Sequence, residues 1–158
     1  MAFEVWRKYP WNRNLPFDDF CELILPYRIA DEPLSDWRKL YYEDYGTLLD
    51  SLYKGDDVIE ASKIIDGKLR KLYYIYNTDF RVPHLNAVFL YHNRIGYCRE
   101  ACDLTIYAMR ACGIPVATDY FVYSPDYQHY HCWTMLRDTT GTFLQFGFNE
   151  FEASRDTL

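Results

Sequence analysis

No stretch of the chain approaches the roughly 20 consecutive apolar residues that a membrane-crossing helix needs, so no membrane-spanning segment is expected. Positive charge is also short, with 17 Lys and Arg against 23 Asp and Glu and a formal net charge of −6. The long-range field of such a chain repels phosphate backbones and anionic surfaces, which argues against a nucleic-acid partner. Low-complexity runs and internal repeats are absent. A signal-peptide core is missing too, because Met1 to Pro10 alternates charged and aromatic residues. The chain as given is expected to be soluble. An excised domain of a secreted precursor would begin in the same way, so the compartment stays open and is extracytoplasmic if that is the origin.

An even set of cysteines is lacking as well. Five of them, Cys21, Cys98, Cys102, Cys112 and Cys132, leave at least one unpaired. Cys98 and Cys102 are four apart, so on a helix their Cβ atoms share a face and point the same way, a poor arrangement for a disulfide torsion. Reduced thiols are expected. What the chain does have is apolar mass: 49% of its 158 residues, enough to bury one core, so residues 1–158 are read as a single domain. Aromatic residues make up 19%. Tyrosines can line grooves for sugars or extended peptides, or pack a core with hydroxyls reaching its edge.

The pattern is helical first, over about residues 1–95, and β-rich last. Phe17 to Leu25 places Phe17, Phe20, Cys21 and Ile24 at helical spacing, with acids in the first turn and Pro26 as a stop. A second helix opens at Ser35-Asp36-Trp37-Arg38 and repeats Trp37, Leu40, Tyr41, Tyr45 and Leu48 until Gly55. A third is predicted from Asp56 to Tyr74, with Gly67 weakening its middle. The segment from Thr78 to Gly96 is punctuated by Pro83 and Gly96 and reads as irregular. Cys98 to Cys112 is predicted as a helix ended by Gly113 and Pro115. Its polar residues Arg99, Asp103 and Arg110 form a narrow stripe, so most of its surface should be buried. Strand-like runs then cover Val116 to Tyr123, His131 to Arg137 and Thr142 to Phe148, the last two joined by a turn at Asp138 to Gly141. Helices packed on an antiparallel meander define the α+β class.

A cysteine in the first turn of a buried helix sits where backbone N–H groups are unpaired and the helix dipole is positive. That placement predicts a stabilised Cys98 thiolate, and the same N–H groups can donate to the oxyanion of a tetrahedral intermediate. His131 opens the following strand, where an imidazole can take the thiol proton and return it to a leaving amine. His129 points to the same side by alternation, and only the Trp133 that follows His131 separates the two. A metal site from Cys98, Cys102, His129, His131 and Cys132 has suitable ligand types but not a usual zinc spacing, and no metal or other cofactor is expected.

These residues carry a resemblance. Gly96-Tyr97-Cys98, a helix running into Arg110-Ala111-Cys112-Gly113-Ile114-Pro115, then His131-Cys132-Trp133 and a Gly-containing hairpin resemble the core of the transglutaminase-like superfamily. The family pattern is Gly-x-Cys at a central helix, Arg-x-x-Gly-Ile-Pro at its end and His-x-Trp on the next strand. The match runs from Gly96 to about Phe148, within a motif-bearing core of about residues 96–150. The N-terminal helical part looks like what precedes this core in some bacterial secreted members. The resemblance implies a papain-like fold and acyl transfer from an amide through a thioester, with a protein, peptide or glycopeptide as substrate and water or an amine as acceptor. It implies Cys98 as nucleophile, His131 as base, Trp133 as support, and His92 or Asn93 as a side-chain donor to the oxyanion.

One departure stands out. The family places an acidic residue on the strand after the histidine, to orient the imidazole, and counting from Phe143 that place holds Gly147. Asn149, two residues on, has an amide oxygen that can serve as it does in Cys-His-Asn enzymes. Asp138 is too far along the strand. The rival readings are a peptide- or glycan-binding module on a degenerate enzyme fold and a purely structural interaction domain.

Overall fold

Helix formation starts earlier than the sequence pattern predicts. The computed structural model describes residues 1–123, 130–147 and 152–157. In it Ala2–Lys8 already forms a helix, α1. Its alternating charges and aromatics hide an inward edge: Val5 is buried, and Trp6 stacks on Phe20 of α2 (Phe17–Leu23) at 4.4 Å between ring centroids. The predicted second helix is present as α3 (Arg38–Tyr41), a wide π turn (Tyr42–Gly46) and α4 (Thr47–Leu52). The wide turn keeps Tyr41, Tyr45 and Leu49 all pointing inward. Helix α5 (Val58–Leu69) is shorter than Asp56 to Tyr74, because Asp57 caps it by accepting the Ile59 N–H at 2.9 Å.

Thr78 to Gly96 is not irregular throughout. Asn86 caps a helix, α6 (Ala87–Asn93), by accepting the Phe89 N–H at 2.9 Å, and Arg94 ends it in the left-handed region at φ +45°. Leu85, Val88, Phe89 and Leu90 could not separate helix from strand on spacing alone, and the cap decides it. Ile75–Tyr76 (β1) then pairs in parallel with Ile95–Gly96 (β2).

Helix α7 (Cys98–Ala111) is the centre of the molecule, with every residue buried except Arg99. Apart from Arg99, its predicted polar stripe does not face water. The Arg110 guanidinium donates to the carbonyls of Leu23 at 2.9 Å, Arg28 and Val116. Beside it, Arg38 donates to Ile24, Leu25 and Pro26 at 2.6 to 2.9 Å, and to the Arg110 carbonyl. Burial lowers both guanidiniums to about 10, helped at Arg38 by the Arg110 charge, so both stay cationic at neutral pH. They hold the 23–28 turn against the end of α7. Asp103, 2% exposed, accepts from His84 Nδ1 at 3.1 Å and so ties the 78–86 segment to the helix.

Tyrosines supply much of this core. Tyr107 meets Trp37 at 4.8 Å and Tyr41 at 5.9 Å, and the hydroxyls are satisfied: Tyr41 donates to the Ala87 carbonyl at 2.8 Å and Tyr107 to buried Glu32 at 2.5 Å. These rings build the interior; they do not line a groove.

Strands β3 (Val116–Phe121), β4 (His131–Arg137) and β5 (Phe143–Phe146) form the antiparallel meander, in the order β3-β4-β5. The Asp138 to Gly141 turn is closed by the Gly141 N–H donating to Asp138 at 2.9 Å, with Gly141 at φ +94°. Along β4, Cys132, Thr134 and Leu136 are buried against α7 while His131, Trp133 and Met135 are half-buried on the other face. Asp138 is also buried, held by Arg155 at 2.6 and 2.9 Å, which brings its carboxyl down to about 2. The same Arg155 reaches Asp57 at the start of α5.

Two measurements test this frame. Met109 is fully buried on α7, so Met109→Ala should lower the urea-unfolding free energy by about 2–5 kcal/mol, and an equally stable variant would undo the central position of the helix. The second concerns His84 and Asp103. The hydrogen bond to Asp103 raises the His84 pKa, and burial raises that of Asp103. Both groups therefore bind protons more tightly folded than unfolded, and the stability they contribute is present below their unfolded pKa values and lost as pH rises through the folded ones. The pair's own contribution to the unfolding free energy should decline as pH climbs past about 4 and again past about 6.5, the acid-side decline running against the gain that the lowered Asp138, Asp57, Asp50 and Glu32 carboxyls bring there. His84→Gln should flatten the upper decline in urea titrations at stepped pH.

Candidate active site

The site is built from the first turn of α7. Gly96 has φ +152°, and a Cβ placed on it would lie 2.3 Å from the Glu100 Cβ, so only glycine lets the Glu100 side chain fold back across the chain. Folded back, the Glu100 carboxylate accepts the Tyr97 N–H at 2.9 Å and the Arg99 Nε–H at 2.7 Å, and it is 1% exposed. This is half of a capping box, satisfying an N–H that the helix start leaves open. Tyr97 is held from the other side, where its carbonyl accepts from the Tyr74 hydroxyl at 3.3 Å and its ring packs on Tyr76 at 5.4 Å. The next residue is Cys98.

The Cys98 thiol is 4% exposed and has three partners: the Cys132 thiol, the Cys132 backbone N–H and the His131 imidazole. Cysteine 102, one turn on, contacts the Cys132 side chain in turn, so Cys98, Cys102 and Cys132 form a buried sulfur cluster covered by Tyr97 and Tyr130. The expected stabilised thiolate is not what this environment produces. The hydrogen bond to Cys132, followed by burial, pushes the Cys98 pKa up, and the backbone N–H and His131 pull only part of the way back. The helix terminus gives less help than its position promised, because Glu100 already supplies a negative charge there. All five cysteines are free thiols.

His131 is half-buried, with its ring between those of Phe121 at 5.8 Å and Trp133 at 6.0 Å. Trp133 is fixed in turn by its Nε1–H on the Met135 sulfur at 3.2 Å and by Phe121 at 5.7 Å. Cys98, His131 and Trp133 are thus brought together. His92 and Asn93 are not brought to them: both are exposed on the last turn of α6, and the Asn93 amide donates to the Phe89 carbonyl of its own helix at 2.9 Å. Asn149 and His129 lie outside the described residues. Gly147 follows β5, where its carbonyl accepts from Arg70 at 3.0 Å. Sequence reasoning missed Cys132 as a partner of Cys98, although its place between His131 and Trp133, on the opposite strand face from both, was the available signal.

A cleft of about 600 Å³ opens beside the cluster, walled by Phe80, Arg81 and Pro83 on one side and by Tyr97, Arg99 and Tyr130 on the other. A second cleft, of about 410 Å³, lies at the far end of β4 among Arg137, Asp138 and Arg155, away from the thiols. Among the described residues no group of His, Cys, Asp and Glu is arranged to hold a metal ion, and no helix is long and apolar enough to cross a membrane.

No protein-family model and no curated protein sequence matches the chain. Solved structures do. The chain is similar to a putative cysteine protease from Cytophaga hutchinsonii, with a TM-score of 0.63 and 20% identity over 88% of this chain and 44% of that one. It is also similar to the periplasmic domain of TgpA from Pseudomonas aeruginosa, with a TM-score of 0.57 and 17% identity over 83% of this chain and 46% of that one. The same domain bound to ethylmercury matches at 0.52, with 16% identity over 74% of this chain. The chain spans less than half the length of these structures, and what it shares with them is their α+β fold.

Proposed function

We propose that the chain carries out acyl transfer from an amide bond, with Cys98 as nucleophile and His131 as general base and then general acid. The observation that carries this reading is the contact between the Cys98 thiol, at the start of the buried helix α7 and packed against the cleft-wall residues Tyr97 and Tyr130, and the His131 imidazole. Because Cys132 and burial hold the thiol pKa up, Cys98 rests as a neutral thiol. Proton transfer to His131 then accompanies sulfur attack on the carbonyl carbon. The developing oxyanion falls to the backbone N–H groups of the first turn of α7, with His92 and Asn93 as side-chain candidates only after a rearrangement of α6. Collapse expels the amine, which takes the proton from His131, and the thioester passes to water or to a second amine.

For the third member, Asn149 is the candidate. In the described ladder Thr134 pairs with Phe146 and Met135 with Gln145, and the same register carried onward would set position 149 opposite His131. Asp138 is committed to Arg155. The aromatic and arginine walls of the cleft suit a protein, peptide or glycopeptide chain. An extracytoplasmic, bacterial setting is in keeping with the periplasmic domain among the structural neighbours.

A second reading, a peptide- or glycan-binding module on a degenerate fold, is favoured by glycine at position 147 and by the raised Cys98 thiol. Acylation by p-nitrophenyl acetate, followed by nitrophenolate release and intact mass, separates the two. On the catalytic reading the acyl group appears on Cys98, is lost in Cys98→Ala, and forms about 10²–10⁴-fold more slowly in His131→Ala, while His129→Ala leaves the rate unchanged. Asn149→Ala should slow the reaction and change its pH profile, and Asp138→Ala should not. A protein whose Cys98 stays unacylated while the solvent-accessible Cys21 reacts is the binding module.

A further inference from the structure

Cys132 occupies the variable place of the His-x-Trp pattern, where acyl transfer requires no thiol. Alternation along β4 turns it inward to α7, away from the His131 and Trp133 face. There its side chain contacts the Cys98 and Cys102 thiols, and the Tyr130 hydroxyl donates to it. Three sulfurs on two elements therefore meet in one buried cluster, under a cleft whose walls Tyr97 and Tyr130 also cover that cluster.

We propose that Cys132 is the resolving thiol of a reversible disulfide with Cys98, formed when a hydroperoxide entering the cleft oxidises Cys98. The Cys98 sulfur attacks the peroxide oxygen and its proton passes to the departing alkoxide or hydroxide, leaving a sulfenic acid and one alcohol or water. The Cys132 sulfur then attacks the Cys98 sulfur, the S–O bond breaks, and the Cys132 proton leaves with that oxygen as water. One peroxide is reduced, two thiols become one disulfide, and a dithiol reductant reverses the step. Cys98 is the oxidised partner because it contacts His131, which can take its proton and pass it to the departing oxygen. Cys132 is the resolving partner because it is in contact with Cys98 across the helix–sheet interface, whereas Cys102 lies on the same helix with its Cβ pointing the same way. The effect is to stop the ladder at its reversible rung, since a sulfenic acid next to a thiol condenses before a second peroxide can carry it to the irreversible sulfinic acid.

The inference goes beyond acyl transfer, and its readout is mass and not turnover, so either can fail alone. The full chain is treated with hydrogen peroxide, its free thiols are blocked with N-ethylmaleimide, and it is digested with trypsin without reduction. Cleavage after Arg94, Arg99, Arg110 and Arg137 puts Cys98, Cys102 and Cys132 on separate peptides, the last also carrying Cys112. The expected product joins residues 95–99 to residues 111–137, disappears with dithiothreitol, persists in Cys112→Ala and is lost in Cys132→Ala. In that variant Cys98 should instead gain two oxygens and resist reduction. The wild-type digest and Cys112→Ala decide the pairing even if Cys132→Ala does not fold. Three outcomes overturn the proposal: a link through Cys102 in place of Cys132, sulfinic acid on wild-type Cys98 with no link, or an unmodified Cys98 at peroxide doses that oxidise Cys21.

Discussion

The Glu100 carboxylate, folded back onto the Tyr97 amide, fixes where α7 begins, and the position of Cys98 follows from that point. The contact needs a bare Cα at Gly96, because any Cβ there would strike the Glu100 side chain. It needs Arg99 too, which pairs with the same carboxylate and donates to the Val82 carbonyl at 2.6 Å, tying the cleft wall to the helix start. The other end of α7 is secured as firmly. Gly113 turns the chain at φ +66°, and its carbonyl accepts from Asn12 at 2.7 Å and Trp11 at 3.1 Å. A helix pinned at both ends and buried along its length offers a first turn that does not wander, and proximity catalysis depends on such placement.

The same arrangement limits the chemistry. A buried anion at the third helical position stabilises the helix partly by answering the positive end of its dipole, so less of that potential is left to hold a thiolate. Cys132 then adds a second sulfur where a papain-like site would gain more from a donor that favours charge. The two effects push the thiol towards its neutral form, and His131 is the group positioned to reverse this as a bond forms. On the proposed acyl-transfer reading, this balance of contacts favours general-base assistance of thiol attack.

Much of this was legible in the sequence, for identifiable reasons. Helix α7 announced itself through an apolar run with Gly113 and Pro115 behind it, and β4 through strict alternation, so both were placed nearly to the residue. Asn86 was a visible cap in front of Leu90, but the mixed spacing of residues 85–90 concealed α6, and α1 was concealed by charges that turned out to lie on one side of it. Asp103 and Arg110 read only as part of a narrow polar stripe, because spacing reports polarity and not partners. Their partners, His84 and the carbonyls of the 23–28 turn and of Val116, come from segments distant in the chain or from the strand after the helix. Cys132 was misjudged for the same reason: its face was predictable, but the sulfur it would meet was not.

The residues that carry the family resemblance divide into two kinds once their contacts are known. Gly96 makes room for a cap, Arg110 collects carbonyls at the end of the helix, and Gly113 turns the chain under Trp11 and Asn12. Each would be retained by any protein that needs this backbone, reactive or not. His131 is different: its ring packs between Phe121 and Trp133 and also reaches the Cys98 thiol. That last contact is what an imidazole adds and an aliphatic neighbour of the same rings would not. On the proposed acyl-transfer reading, fold and reaction therefore rest on separate residues: the fold on Gly96, Arg110 and Gly113, which hold backbone, and the reaction on the sulfur–imidazole contact that the held backbone makes possible.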